Sequence, residues 1–413
     1  MRGSKEEDGS ESRGCLQNAL LSLDLSYNRI WGSIPKAINK FSSLRNLLIG
    51  NNQLNGTISQ GIGTLSMLEN LDISSNSLQE TLSDAHFSNL SRLSTLDMSG
   101  NPNIVLHIRD NWIPPFQLMH LNLESCKLGP YFPKWIVTQT NLSYLGISDA
   151  GIHDSVPTSF WNSLSPLNLD YLNVSNNMIY GPFPDLSITL QKLPIIDFSS
   201  NNLRDLSLNH ISGTIPKCIY NLTAMTSTHD FDDITLSNYV YIVDAKLMWK
   251  WKEHNFQRFV DQVKGIEISD NELEGQIPQE VASLTGLVFL NLSRNHLVGR
   301  VIPISLAQVT CLEILDLSKN NLSGKIPIGT QLQGFDPSSY SGKCGLCGAL
   351  LPKCPGDEPS GSKLKGQGAQ NREKDGDTGD NMTFLGLLIS VVLGFWVVFG
   401  TLIIKMSWTN AIL

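Results

Sequence analysis

The sequence is poor in charge and in reactive chemistry. Asp, Glu, Lys and Arg make up 16% of 413 residues, and the formal net charge is −8. An excess of acid gives no general electrostatic reason to bind nucleic acid or an anionic membrane surface. The eight histidines include no H-E-x-x-H pair, and no G-x-S-x-G turn occurs. His107-Ile108-Arg109-Asp110 is not a kinase catalytic loop, because no D-F-G and no glycine-rich loop accompany it. Gly61-Ile62-Gly63 is a lone fragment. These absences argue for a chain that is not an enzyme and needs no cofactor. The first fourteen residues, MRGSKEEDGSESRG, lack the run of roughly seven to fifteen apolar residues that marks a secretory signal peptide. Seven cysteines are too few and too unevenly placed for a disulfide framework. Cys15, Cys126, Cys218 and Cys311 are scattered, while Cys344, Cys347 and Cys354 crowd together, as a local staple in an oxidising compartment would. Cys344-x-x-Cys347 has zinc-ligand spacing, but no histidine is near and only Cys354 could be a third ligand, so no metal is expected.

What the chain does have is leucine and asparagine at a fixed interval. The pattern L-x-x-L-x-L-x-x-N-x-L fits Leu20 to Ile30 with Leu23, Leu25 and Asn28 in register. It recurs at Asn52, Asn76, Asn101, Cys126, Ala150, Asn177, Asn201, Asn271, Asn295 and Asn320. The first eight of these positions are 24, 24, 25, 25, 24, 27 and 24 residues apart, and the last three are 24 and 25 apart. Such a period predicts an α/β solenoid of leucine-rich repeats with a curved parallel sheet on its concave side. The L-x-L segment is a short strand whose leucines point inward, and neighbouring coils supply the core that one coil cannot build alone. Each buried leucine contributes about 1.5–3 kcal/mol. The asparagine turns the chain after the strand, its amide meeting backbone groups that would cost roughly 1–3 kcal/mol if left unpaired. Cys126 at that position reads as structural. Ala150 cannot make those bonds, which predicts a looser coil.

G-x-I-P follows the asparagine in several coils, as Gly32-Ser33-Ile34-Pro35, Gly213-Thr214-Ile215-Pro216, Gly275-Gln276-Ile277-Pro278 and Gly324-Lys325-Ile326-Pro327, with Gly181-Pro182-Phe183-Pro184 a variant. Glycine permits a tight bend and proline ends backbone pairing. This resembles the plant extracellular class of leucine-rich repeats over most of residues 16–330. Two stretches break the period. Asn201 and Asn209 lie only eight residues apart, so either one coil is malformed or the chain is an in-frame deletion product. Residues 224–264 do not scan as a repeat, yet carry Tyr239, Tyr241, Trp249, Trp251, Phe256 and Phe259. Such aromatic content is foreign to disordered linkers. This island either offers aromatic anchors to a partner or folds its rings onto the solenoid edge.

Near the C-terminal end, residues 355–381 form a polar spacer, and residues 384–404 hold 21 residues without a charge, enough for one membrane helix. Gly386, Ser390 and Gly394 recur every four residues on it, a stripe that either lets another helix approach closely or reflects ordinary glycine content. The predicted organisation is a disordered N-terminus (1–15), a first repeat block (16–223), the island (224–264), a second block (265–330), a cap (331–355), a spacer (356–383), the membrane helix (384–404) and a short tail (405–413).

Repeats with G-x-I-P, a late island, the Gly345-Leu346-Cys347-Gly348 cap, the spacer and Gly394-Phe395-Trp396-Val397-Val398-Phe399-Gly400 occur together here. The combination resembles the plant receptor-like proteins, the kinase-lacking class that includes fungal-resistance receptors and the receptor for fungal xylanase. The resemblance implies that Cys347 pairs with Cys354 and that the chain senses an extracellular peptide, protein or glycan. It implies signalling in plant defence through a membrane receptor kinase that associates by the helix and the solenoid. It also implies a glycoprotein anchored in the lipid bilayer of the plasma membrane as a single-pass type I protein with its repeats outside. Family members carry a signal peptide and a Cys-Trp N-terminal cap, so the chain reads as N-terminally truncated. The alternatives are a truncated fragment without function and a repeat protein that inhibits an enzyme.

Residues beside the inward leucines face the concave side. The ligand-binding candidates are His120, Glu124, Tyr144, Asp149, Tyr171 and Phe289, with Trp249 and Trp251 from the island. Asn122, Ser125, Glu267, Asp270, Arg294 and Lys319 face the same way. Glycosylation candidates are the sequons at Asn55, Asn89, Asn141, Asn173, Asn221, Asn291 and Asn321, with Asn381 placed too near the bilayer. Asn173 and Asn291 fall on the strand face, where a glycan would block part of the concave surface.

Overall fold

The computed structural model describes residues 19–164, 169–182, 195–204, 214–226, 245–249, 252–256, 264–299, 302–328, 330–342, 345–348 and 351–354. Its main feature is an eleven-stranded parallel sheet with one strand from each coil. In chain order these are β1 (Ser22–Asp24), β2 (Asn46–Leu48), β3 (Asn70–Asp72), β4 (Thr95–Asp97), β5 (His120–Asn122), β6 (Tyr144–Gly146), β7 (Tyr171–Asn173), β8 (Ile195–Asp197), β9 (Gly265–Glu267), β10 (Phe289–Asn291) and β11 (Ile314–Asp316). Alternation along each strand sends the central residue inward and its two neighbours to the concave face. The inward residues sit opposite one another from strand to strand, Leu121 against Leu145 and Leu145 against Leu172, and all three are fully buried.

The repeat asparagines lace each coil to the one before it. Asn76 is representative. Its Nδ2 donates to the Ile73 and Ser74 carbonyls of its own coil at 3.1 and 3.0 Å and to the Ile49 carbonyl of the preceding coil at 3.1 Å. Its Oδ1 accepts from the Leu54 amide of the preceding coil at 2.9 Å. Asn52, Asn101, Asn177, Asn201, Asn271, Asn295 and Asn320 repeat the arrangement. The residue before each of these is in left-handed backbone, as in Ser75 (φ 48), Asn176 (φ 52) and Asp270 (φ 54). Bonds on both sides of the turn hold a conformation that side chains otherwise disfavour. Cys126 stands in partly, its Sγ donating to the Met98 carbonyl at 3.1 Å, and burial pushes its thiol up to about 12. At Ala150 the backbone closes the turn. Leu128 and Gly129 donate to its carbonyl at 2.9 and 3.0 Å, while Asn177 Oδ1 accepts from its N–H at 3.1 Å. Ala150 is 1% exposed, and neither its strand nor its turn lacks pairing.

After the turn, the glycine of G-x-I-P takes positive φ at Gly32 (96°), Gly275 (77°) and Gly324 (92°), where only glycine is free of strain. Proline then precedes a short 3-10 helix, as Pro35 does before Lys36–Lys40 and Pro278 before Gln279–Ser283. One α-helix, α1 (Thr158–Leu164), replaces the 3-10 turn in its coil.

Both irregular stretches fall between β8 and β9, which nonetheless pair in register, Ile196 against Ile266. The described part of the first stretch belongs to one lengthened coil. It runs from β8 through Asn201 and Asn202–Leu203, and resumes at Thr214 and the 3-10 helix Lys217–Asn221. Residues 224–226 stay with that coil, because Met225 is fully buried and its carbonyl accepts from Gly286 N at 2.8 Å. Within the island, Ala245–Trp249 and Lys252–Phe256 form an antiparallel hairpin. The C-terminal edge of the sheet is closed by the cap: Leu317 N and Lys319 N donate to the Ser339 and Ser341 carbonyls at 2.8 and 2.7 Å. Gly345–Cys347 pairs with Asn321–Lys325, and Cys347 is bonded to Cys354. Residues 1–15, the spacer at 356–383, the segment 384–404 with Gly386, Ser390 and Gly394, and the tail at 405–413 lie outside the described residues. Among the described residues no helix is long and apolar enough to cross a membrane.

The ladder generates a position-dependent prediction. Among the described residues, Asn28 bonds only its own coil, at the Leu25 and Ser26 carbonyls. Asn76→Ala and Asn295→Ala should each destabilise the chain by about 1–3 kcal/mol or more, and Asn28→Ala by clearly less. Chemical denaturation of the three variants measures the difference, and equal losses would contradict a coil-to-coil role for the amide.

Candidate ligand-binding surface

The fixed pitch stacks residues from successive coils directly across the concave face. In the row of first strand residues, the His120 and Tyr144 rings lie 4.2 Å apart at 18°, and the Tyr144 and Tyr171 rings 4.3 Å apart at 3°. The sequence exposes these rings to a ligand, and the structure corrects that. Tyr144 is 6%, Tyr171 2% and Phe289 2% exposed. The ring faces of Tyr144 and Tyr171 are spent on one another, so the two tyrosines form a floor. Burial foremost, then the phenol beside it and the Glu124 carboxylate, raises the Tyr144 hydroxyl well above its usual range; burial and Glu124 do the same for Tyr171. Both stay neutral donors. His120 is partly buried, with Nε2 3.8 Å from Asp97 Oδ2.

Glu124 reaches over this floor from the coil of β5. It spans the coil of β6 to accept from Asn173 Nδ2 at 2.8 Å, and Asn173 also donates to the Tyr171 hydroxyl at 3.2 Å. Gly146 makes that reach available. A Cβ there would stand 2.8 Å from Glu124 Oε1 and 2.8 Å from Asn122 Oδ1. The equivalent positions hold Asp72, Asp97, Asn122, Asn173 and Asp197 in the neighbouring coils and Leu48 in the second coil, so the glycine opens a gap in a mostly polar row. Sequence reading passed over Gly146, whose one signal is its departure from that row. Next to Glu124 is Ser125, which donates to exposed Asp149 at 3.1 Å. His120, Glu124, Tyr144, Asp149 and Tyr171 are therefore one continuous patch. Phe289 lies apart, three strands on from Tyr171 in the same row. Trp249 pairs through its backbone with Lys252 in the hairpin, and Trp251 lies outside the described residues.

The third strand residues carry a second pattern that the sequence reading missed, Asp-x-Ser. Asp72, Asp97 and Asp197 each accept from the N–H of the serine two residues on, at 2.9 Å. The same row holds two sequons. Asn173 is 3% and Asn291 5% exposed; Asn173 is held by Glu124, and Asn291 Nδ2 donates to Glu267 at 2.9 Å. A glycan on either would have to displace these bonds, and neither is carried forward as an acceptor. Asn55, Asn89, Asn141 and Asn321 are exposed and Asn221 half-buried.

Asp197 and Glu267 face each other across the β8–β9 joint. Both are buried, and burial raises both: Asp197 to about 6, against the opposing hydroxyls of Ser199 and Ser175, and Glu267 further, with the Asp197 charge adding to burial. An acid whose folded pKa lies above its unfolded value stabilises the fold below the unfolded value, and that stabilisation is lost as pH rises through the folded value. Stability should therefore fall as pH rises from the ordinary carboxylate range through about 6. The melting temperature of the chain between pH 4.5 and 8 tests this, and Asp197→Asn with Glu267→Gln should flatten the profile. An unchanged slope in the double variant would place the dependence elsewhere.

The family profile described as Leucine Rich Repeat matches residues 19–41 and 311–332. Receptor-like protein EIX2 of Solanum lycopersicum is 30% identical over 523 aligned positions, covering 80% of this chain and 50% of the relative. Receptor-like protein EIX1 of the same species is 30% identical over 524 positions with the same coverage. The chain spans about half the length of these curated relatives. Among solved structures, the plant peptide hormone receptor RGFR1 in complex with RGF2 superposes with a TM-score of 0.53 at 24% identity, covering 76% of this chain and 46% of that one. The Arabidopsis receptor kinase HAESA, in complex with the peptide hormone IDA and the co-receptor SERK1, gives 0.53 at 22% identity, covering 80% and 50%. These two show the shared solenoid fold. By its repeats and its relatives together, the chain belongs to the plant leucine-rich-repeat receptor-like proteins.

Proposed function

We propose that this chain is the recognition part of a plant cell-surface receptor that binds an extracellular ligand on its concave face and performs no catalysis. The observation that carries the reading is the patch of His120, Tyr144 and Tyr171 edged by Glu124 and Asp149. A rigid aromatic floor beside partly exposed carboxylates suits a ligand that presents basic side chains. Buried rings lose no conformational freedom when a ligand arrives, which favours binding on a preorganised surface. Peptide ligands fit the patch best, as in the two solved receptors, which are complexes with peptide hormones. Signalling in defence passes to a membrane receptor kinase that associates along the solenoid and through the segment 384–404, with the repeats outside the plasma membrane. The relatives named receptor-like proteins support this reading.

Two experiments test it. Panning a random peptide display against the full chain should enrich Lys- and Arg-rich sequences whose affinity drops at least tenfold with Glu124→Gln plus Asp149→Asn. Peptides that bind the double variant equally well would move the site off this patch. The second experiment addresses orientation. The full chain expressed in plant cells should shift downward on a gel after N-glycan removal. Replacing Asn55, Asn89, Asn141, Asn221 and Asn321 by Gln should abolish the shift, with Asn173 and Asn291 intact. A membrane-bound chain without any shift would place the repeats in the cytosol.

A further inference from the structure

A cavity of about 360 Å³ lies on the flank of the first three coils, on a different side of the coil from the concave sheet. That is within the ~300–1,000 Å³ range of small-ligand sites. Buried Ile34 and Ile58 form its floor. Ser33, Thr57 and Thr81, each 24 residues from the next, bring three exposed hydroxyls to its wall. Lys36 borders it from the first coil, and Glu80 and His86 from the third.

His86 points to a ligand. It is 3% exposed and lines the cavity. Its Nδ1 accepts from the Ser83 backbone N–H at 3.1 Å, closing a capping box at the start of the 3-10 helix Asp84–His86. A ring nitrogen that accepts from an amide carries no proton, so in the neutral imidazole the proton sits on Nε2. Among the described residues, every side-chain hydrogen bond of His86 runs through Nδ1. No protein acceptor among the described residues engages Nε2–H, which leaves it available as a donor to a group that enters the cavity. Lys36 makes none of the ion pairs among the described residues. Two donors, one of them cationic, call for a carboxylate acceptor. One oxygen of Glu80 accepts from the Thr81 N–H at 3.1 Å, leaving the other for hydroxyl donors. No aromatic ring other than His86 lines the cavity, so a stacked planar ligand is not matched.

We propose that this flank cavity binds an acidic sugar, a hexuronate unit whose carboxylate meets Lys36 and His86 and whose hydroxyls meet Glu80 and the row of Ser33, Thr57 and Thr81. The site is independent of the concave patch. The test is ligand-observed NMR and calorimetry on the full chain with glucuronate, galacturonate, glucose and inorganic phosphate as probes. At least one uronate should bind, with glucose at least fivefold weaker. Lys36→Met, at an exposed position, and His86→Gln should each weaken the uronate at least fivefold, while Glu124→Gln on the concave face leaves it unchanged. Should His86→Gln fail to fold, Glu80→Gln joins Lys36→Met in its place. Equal binding of glucose, binding of phosphate alone, uronate binding that survives Lys36→Met, or no binding at all would each overturn the proposal.

Discussion

A side-chain amide bonded to the backbone of two coils is the interaction on which the rest of this structure depends. A solenoid coil contacts only its neighbours, so nothing distant can correct its pitch or twist. Asn76 and its counterparts fix both. Each satisfies a carbonyl and an N–H of the preceding coil while holding its own turn closed. The buried leucines supply most of the favourable free energy, but burial is non-directional. Directional bonds at one position per coil turn a row of apolar segments into a sheet with a single register. Where the asparagine is replaced, the bonds are met by other means, by a thiol at Cys126 and by the main chain at Ala150.

That register places functional side chains together from sequence positions 24 to 27 residues apart. His120, Tyr144 and Tyr171 stack because their strands are held level. Glu124 crosses to Asn173, 49 residues on, because Gly146 between them has no side chain. The same regularity sets Asp197 against Glu267 across the joint that emits the island, where burial raises the proton affinity of both acids and the Asp197 charge raises that of Glu267 further. The flank cavity follows the same rule on another side of the coil, with hydroxyls of three successive coils forming one wall.

The coils, the strands and the inward leucines were legible in the sequence because period and spacing encode them directly. The island's position was legible as a failure of the period. Exposure on the concave face was not. A tyrosine beside an inward leucine reads as a ligand contact, and only the neighbouring coils show that Tyr144 has rings on both sides. The eight-residue spacing of Asn201 and Asn209 read as a malformed coil or an in-frame deletion, whereas β8 and β9 pair as if nothing lay between them. Sequence reading counted residues, and the sheet required only that the two ends meet. His86 carries no motif beyond its place three residues after Ser83, so its free nitrogen emerges only from the hydrogen-bond geometry.

One hydrogen-bonded sheet runs unbroken through all eleven strands, the β8–β9 joint included. There, Phe198 N and Ser200 N donate to the Glu267 and Ser269 carbonyls at 2.8 and 2.9 Å, and Asn271 Nδ2 donates to the Phe198 carbonyl at 2.9 Å. Amide hydrogen exchange resolved along the full chain tests this directly. The account predicts that Phe198, Ser200 and Ile268 are protected as strongly as their counterparts in β3 to β7. Fast exchange at these three amides, with residues 264–328 opening as a separate unit, would contradict it.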